Sequence, residues 1–129
     1  MNFKTYYLKE SNKPTCKTNS NGDKFWYLNG KFHREDGPAV EYANGSKYWY
    51  LNGNIHREDG PAVEHANGDK EWYLNGKRHR EDGPAVEYTN GYKSWWLNGK
   101  EYSETEYKRE HIRRGILKDP SLSDVMDAI

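Results

Sequence analysis

The sequence repeats itself with a period of 23 residues. The phrase Lys-x-Trp-Tyr-Leu-Asn-Gly-x-x-His-Arg-Glu-Asp-Gly-Pro-Ala-Val-Glu occupies 24–41, restarts at Lys47 and at Lys70, and a truncated fourth copy begins at Lys93. A fixed period of this size is typical of stacked repeat architectures, in which each unit contacts its neighbours. The repeat therefore constrains the fold more strongly than composition does.

Each full repeat contains two Asn-Gly pairs, which in the first repeat are Asn29-Gly30 and Asn44-Gly45. Both central positions of a type I′ turn need positive φ, so Asn-Gly between strand-forming residues is the strongest short hairpin signal. We therefore predict an all-β fold: an elongated, single-layer, twisted antiparallel meander of stacked hairpin repeats, with a short C-terminal helical cap.

Two-residue turns at both pairs would fix which residues lie opposite each other: Leu28 and Lys31, Trp26 and His33, and Lys24 and Glu35 around the first turn, and Val40 and Trp49, and Pro38 and Leu51, around the second. Side chains alternate between faces with period two. His33 and Val40 differ in parity, yet this register places both on one face. We therefore predict a one-residue slip at Asp36-Gly37, with the glycine in the left-handed conformation.

The predicted sheet has two faces of different character. The first carries a ladder of tryptophan, valine and leucine: Trp26, Val40, Trp49, Val63, Trp72, Val86 and Trp95, with Leu28, Leu51, Leu74 and Leu97. The second carries a tyrosine ladder and positions that vary between repeats: Tyr27, Tyr50, Tyr73 and Trp96, with Phe25, Tyr48, Glu71 and Ser94, and Phe32, Ile55 and Arg78. We expect the first face to be structural and the second to bind, although exchange of the two roles stays open.

The ends of the chain depart from the repeat. Residues 1–20 resemble a degenerate repeat and are expected to form an N-terminal cap, because terminal repeats face solvent. The repeat array occupies 21–102, and 103–129 is expected to form a C-terminal cap. Ser103 and Glu106 form a capping box that predicts a helix over 104–114, ended by Gly115. After Asp119-Pro120, residues 121–129 are expected to form one more short helical turn.

Composition excludes several classes of protein. Twenty basic and twenty acidic residues cancel, which argues against a nucleic-acid-binding surface. The single cysteine, Cys16, cannot form an internal disulfide, which suits a reducing compartment. No apolar run is long enough for a signal peptide or a membrane span, so the expected location is cytoplasmic.

The repeat resembles the MORN repeat, which also spans 23 residues. The resemblance lies in Asn29-Gly30-Lys31-x-His33 and in its copies at 52–56 and 75–79. Arginine stands where MORN has glycine after histidine, and the Glu-Asp-Gly-Pro insertion is foreign to it; MORN-type repeats of bacterial antitoxin-like and phage proteins are the most similar. The resemblance implies a binding scaffold built from hairpins, with no catalytic residue of its own.

The His-Arg-Glu-Asp segment, present three times, is the one cluster that suggests chemistry. Histidine with carboxylates can hold a divalent ion, and the candidate ligand or turn residues are His33, Arg34, His56, Arg57, His79 and Arg80. A structural role is the stronger interpretation: His33 stacks on Trp26, a Lys24–Glu35 pair forms across strands, and Asp36 serves the turn. We expect no catalytic residue, no metal and no cofactor.

These observations predict a non-enzymatic, protein-binding module: a small inhibitor or antitoxin-like accessory protein that acts by occlusion. The predicted binding residues are Tyr27, Tyr50, Tyr73, Trp96, Phe32, Ile55 and Arg78, because Tyr, Trp and Arg dominate interface hot spots. A homodimer that buries the tryptophan ladder is a further expectation. The rival interpretations are a repeat that binds a small ligand, nucleotide or sugar, a membrane-surface adaptor, and a metal-dependent enzyme.

Overall fold

A computed structural model describes residues 13–116 as antiparallel β-structure followed by one helix. The strands are β1 (Thr15–Thr18), β2 (Lys24–Leu28), β3 (Lys31–Phe32), β4 (Val40–Glu41), β5 (Lys47–Tyr48), β6 (Tyr50–Leu51), β7 (Asn54–Ile55), β8 (Val63–Glu64), β9 (Lys70–Glu71), β10 (Tyr73–Leu74), β11 (Lys77–Arg78), β12 (Val86–Glu87), β13 (Lys93–Leu97) and β14 (Lys100–Tyr102). The helix is α1 (Glu104–Arg113).

The strands form an open sheet. Its order is β1-β2-β4-β5-β8-β9-β12-β13-β14, with β3 paired to β2 alone, while β6–β7 and β10–β11 form separate two-stranded ribbons. Every pairing between strands is antiparallel. The structure therefore confirms the predicted fold class, an all-β antiparallel sheet with a short C-terminal helix.

The first Asn-Gly pair of each repeat forms the predicted two-residue turn. Asn29 has φ 52° and Gly30 has φ 76°, as a type I′ turn requires. Leu28 lies opposite Lys31 and Tyr27 opposite Phe32. The corresponding turns of the next three repeats have the same signs of φ.

The second Asn-Gly pair forms a longer turn than predicted. The Tyr42 amide donates to the Ser46 carbonyl at 2.9 Å, the Gly45 amide donates to the Tyr42 carbonyl at 2.9 Å, and Gly45 has φ 99°. This is a three-residue loop in which a glycine bulge follows the turn. Val40 therefore lies opposite Tyr48, and the predicted pairings of Val40 with Trp49 and of Pro38 with Leu51 are wrong.

This extra turn residue exchanges valine and alanine between the two faces. Val40 lies opposite Phe25 and Tyr48, so the valines share the face of Tyr27. The Trp26 amide donates to the Ala39 carbonyl at 2.8 Å, which places Ala39 on the tryptophan face. The predicted tryptophan–valine ladder is therefore wrong. The slip occurs at Gly45, and Gly37 does not have positive φ. We call the two sides the Trp face (Trp26, Trp49, Trp72, Trp95) and the Tyr face (Tyr27, Tyr50, Tyr73, Trp96).

Strand β2 changes partner partway along its length. The His33 amide donates to the Trp26 carbonyl at 3.0 Å, the last contact of the hairpin before the chain leaves β2. Lys24 lies opposite Glu41, so the predicted Lys24–Glu35 pair is wrong. Segment 34–38 instead connects the hairpin to β4.

The core is thin and repetitive. Alanine and valine alternate in it, and they are at most 3% exposed: Ala39, Val40, Ala62, Val63, Ala85 and Val86. Each pair contributes one small side chain to the Trp face and one branched side chain to the Tyr face. The array is therefore held together by short, identical layers and not by a single deep core.

Different elements close the two ends of the array. At the N-terminal end, β1 pairs with β2 with Cys16 opposite Trp26; the rest of the predicted cap, residues 1–12, lies outside the described residues. At the other end, the Ser103 hydroxyl accepts the Glu106 amide at 3.1 Å, and Gly115 at φ 78° ends α1, as predicted. The predicted helical turn over 121–129 also lies outside the described residues.

Side-chain hydrogen bonds cap helix α1 and hold it against the sheet. The Glu106 carboxylate accepts the Ser103 hydroxyl at 3.1 Å and not the backbone amide that the capping box predicts. Tyr107 donates its hydroxyl to the Arg80 carbonyl at 2.5 Å, and His111 Nε2 donates to the Glu81 carbonyl at 2.6 Å. The helix is thereby docked on the third His-Arg-Glu-Asp segment. Within residues 13–116, no helix is long and apolar enough to cross a membrane.

Candidate functional site: the Tyr face

Arginine side chains of the same chain stack on three of the four tryptophans of the Trp face. The Arg34 guanidinium lies over the Trp26 ring, with Cζ 3.9 Å from the ring centroid. Its Nε donates to Asp36 at 3.0 Å, and its Nη1 donates to the Pro38 carbonyl at 3.1 Å and to Glu41 at 3.4 Å. We call this arrangement the Arg cage.

The Arg cage occurs three times. Arg57 covers Trp49 at 3.9 Å and Arg80 covers Trp72 at 3.8 Å, each with the equivalent three hydrogen bonds. Arginine therefore takes the stacking position that the sequence assigns to histidine. The Arg and Asp of the His-Arg-Glu-Asp segment have a structural role.

The histidines of these segments connect successive repeats. His33 Nδ1 accepts the backbone amide of Asn52 at 2.9 Å, and His56 and His79 accept those of Asn75 and Asn98 at the same distance. Because Nδ1 is an acceptor, the neutral ring carries its proton on Nε2. Each histidine thus fixes the Asn-Gly turn of the following repeat.

Geometry for a metal ion is not found in this region. Across residues 13–116, no group of three or more His, Cys, Asp or Glu side chains is placed to hold an ion. That the segment binds no metal remains a prediction for the chain as a whole.

The Tyr face brings the predicted binding residues together. Tyr27 and Phe32 are cross-strand neighbours with ring centroids 5.0 Å apart, and Phe32 reaches Tyr50 of the next repeat at 5.2 Å. Ile55 lies opposite Tyr50 and Arg78 opposite Tyr73. All of these side chains are half-buried.

Arg78 extends the row to the last predicted residue. Its guanidinium lies 5.8 Å from the Tyr73 ring and 5.1 Å from the Trp96 ring of the next repeat. The seven predicted residues therefore follow one another along one face of the sheet, from the first hairpin to the fourth.

A second aromatic row runs beside the first, and sequence reasoning missed two of its members. Phe25 contacts Tyr42 edge-on at 6.1 Å, Tyr42 contacts Tyr48 at 5.6 Å, and Tyr48 contacts His65 at 6.1 Å. Tyr42 and His65 are the missed residues. The available signal was an aromatic or histidine after the final glutamate of each repeat.

The third repeat places a buried carboxylate in the Tyr face. Glu71 is 8% exposed; it accepts Arg78 at 2.9 Å, His65 at 3.0 Å and the Tyr73 hydroxyl at 3.2 Å. Burial acts to raise the pKa of Glu71, but the hydrogen bonds from His65 and Arg78 outweigh it and hold the pKa below its usual value. The face thus changes from aromatic to charged along its length.

Comparison of the sequence with family models, with curated proteins and with solved structures found no match.

Proposed function

We propose that this chain is a non-enzymatic, MORN-like repeat module whose Tyr face binds another protein. The observation that carries this proposal is the row of aromatic and arginine side chains on that face, in which Phe32 contacts Tyr27 and Tyr50, and Arg78 contacts Tyr73 and Trp96. Tyr, Trp and Arg are the residues that contribute most to protein–protein affinity.

The contrast between the two faces supports the same proposal. The Arg cages and the His–Asn contacts recur almost unchanged from repeat to repeat. On the Tyr face, the position held by Phe25 in the first repeat is tyrosine, glutamate and serine in the next three. A constant framework with a varied face is what a specific binding scaffold requires, because the variation gives each repeat its own contact.

Binding by occlusion needs no catalytic group. An inhibitor or antitoxin-like accessory protein of the cytoplasm is the form of this function that we propose. A homodimer through the Trp face would bury less tryptophan surface than the sequence suggests, because an arginine already stacks on each of Trp26, Trp49 and Trp72.

The test is affinity capture from the source organism with a variant that copies one repeat onto another. Tyr48→Glu/Ile55→Arg gives the second repeat the glutamate and arginine that the third repeat holds at Glu71 and Arg78. The fold should survive, since the third repeat accommodates this pair. We expect a partner recovered with the wild type to be lost with the double variant.

Lys47→Gln is the matched control, because Lys47 is the exposed neighbour of Tyr48 in β5. It should recover the same partner as the wild type. Equal recovery by the wild type, the control and the folded double variant would contradict binding through the Tyr face. Light scattering on the same three proteins separates a second copy of this chain from a different partner.

A further inference from the structure

The Trp face contains two equivalent clefts between successive Arg cages. The first has a volume of about 650 Å³ and a floor of Trp49, Leu51 and His56. The second has a volume of about 640 Å³ and a floor of Trp72, Leu74 and His79. The floor residues are 23 positions apart, so the clefts are two copies of one site.

The walls of these clefts present negative charge to solvent. Arg34, Arg57 and Arg80 are 20–23% exposed, and each pairs with two carboxylates. The aspartates of these pairs keep 86–87% of their side chains exposed. Glu35, Glu58 and Glu81 are 59–84% exposed, and each lies 3.5–3.6 Å from the Nε2 of a histidine whose Nδ1 accepts a backbone amide. The clefts therefore favour a cationic occupant.

A histidine N–H that opens onto each cleft adds a second requirement. The His79 side chain is 8% exposed, and its Nε2 lies 3.5 Å from Glu81, beyond normal hydrogen-bond length. No partner within residues 13–116 accepts this N–H, since the one hydrogen bond of the ring is made by Nδ1. Because His79 forms part of the cleft floor, the donor is available to an occupant with a free carbonyl oxygen. His56 repeats the arrangement in the first cleft.

The spacing of the clefts matches the repeat of a polyproline II helix. Each repeat adds two strands to the sheet, so the clefts are about 9.6 Å apart at the usual distance between strands. A polyproline II helix has three residues per turn and advances about 9.3 Å per turn. Its carbonyl groups make no internal hydrogen bonds, and aromatic-lined grooves are a common receptor for it.

We propose that the Trp face binds a basic peptide segment in the polyproline II conformation, with lysine or arginine at every third residue. Each cleft holds one cationic side chain between the carboxylates, with its methylene groups against the part of Trp49 or Trp72 that lines the cleft. The histidine Nε2 donates to a peptide carbonyl. This site lies on the face opposite to the one in the proposed function, and a partner protein can use both.

The experiment is isothermal calorimetry of the full chain with synthetic peptides. A peptide of four Lys-Pro-Pro units should bind. A Glu-Pro-Pro peptide tests charge, and a peptide of the same composition with its lysines adjacent tests spacing; both should bind at least tenfold more weakly. Spermine, as a free polyamine, tests whether the cation alone suffices and should also bind more weakly.

Glu58→Gln is the informative variant, because Glu58 lines both clefts. Loss of one exposed ion pair should weaken the Lys-Pro-Pro peptide about two- to fivefold, and the triple variant Glu35→Gln/Glu58→Gln/Glu81→Gln should weaken it further. Glu101→Gln, in β14 outside the clefts, is the control and should bind like the wild type. Absence of binding, equal binding of the clustered-lysine peptide or spermine, or no effect of the triple variant would overturn the proposal.

Discussion

Among single residues, the glycine after each His-Arg-Glu-Asp segment shows how closely the Arg cage is fitted. A Cβ added at Gly37, Gly60 or Gly83 would lie 2.9–3.0 Å from the Cζ of the preceding arginine. None of these glycines has positive φ. The sequence singles out this glycine because it predicts a left-handed conformation there. The structure gives a different reason: a side chain at this position would crowd the guanidinium.

Gly60→Ala should accordingly destabilise the protein. The added methyl would lie 3.0 Å from the Arg57 Cζ, so the guanidinium has to move by a few tenths of an ångström from its position over Trp49 and beside Asp59 and Pro61. Weakening these contacts should cost about 0.5–1.5 kcal/mol. Urea unfolding measures this. In an Arg57→Ala background the same change should be neutral or slightly stabilising, since alanine restricts the unfolded chain. An equal loss in both backgrounds would disprove the steric explanation.

A second prediction for a single residue concerns the loss of stability at low pH. The Asp69 carboxylate accepts the Thr89 amide of the next repeat at 2.8 Å, and this bond lowers the pKa of Asp69. A carboxyl with a depressed folded pKa stabilises the protein above its unfolded pKa, near 3.9, and loses that contribution as pH falls through the folded pKa.

Ser46 provides the matched substitution, because its hydroxyl accepts the Ala66 amide at 2.9 Å without titrating. The melting temperature of Asp69→Ser should therefore fall less between pH 6 and pH 3 than the melting temperature of the wild type. Calorimetry at the two pH values measures the difference. An identical acid shift in both proteins would show that the Asp69 contact is not coupled to folding.

For the elements, the two Asn-Gly turns show what the sequence can and cannot determine. The first turn was predicted correctly, because a two-residue loop with two positive φ values suits Asn29-Gly30 locally. The same dipeptide also fits a three-residue loop with Gly45 in the bulge, and only the pairing of β4 with β5 separates the two. A one-residue difference there moves every valine to the other face.

The positions of residues on the Tyr face could be predicted only where they depend on the first turn. The Tyr27, Tyr50 and Tyr73 row depends on the first turn alone, so its members were identified. Tyr42 and His65 lie beside the second turn, and their place in the Tyr face follows from a register that the sequence does not reveal. The Glu71 cluster joins three side chains from two strands and a loop, a combination with no local signature.

Helix α1 gives the prediction for the elements. Ser103→Ala removes the hydroxyl that accepts the Glu106 amide and should destabilise the protein by about 0.5–2 kcal/mol. Thr105→Ala, two residues further along the chain and exposed, is the control and should change stability little. Urea unfolding compares the two; a smaller loss for Ser103→Ala than for Thr105→Ala would contradict the assigned cap.

At the scale of the whole molecule, the fold and both proposed binding surfaces are built from contacts that recur every 23 residues. In each of the three repeats, the histidine accepts a backbone amide of the next repeat. The arginine of the same repeat stacks on that repeat's own tryptophan. In such a linear array, stability is approximately a sum of repeat and interface contributions. The aromatic residues of the Tyr face and the two clefts of the Trp face recur once per repeat for the same reason.

Removal of one complete repeat is therefore the most direct test. Deleting residues 47–69 joins Ser46 to Lys70 in phase, so every contact between repeats can re-form. Urea unfolding should show one cooperative transition, with a lower midpoint and a smaller m-value because less surface is buried. Deleting only 47–58 breaks the phase and should abolish the transition. Loss of cooperative folding in the in-phase deletion would contradict the account of a modular repeat array.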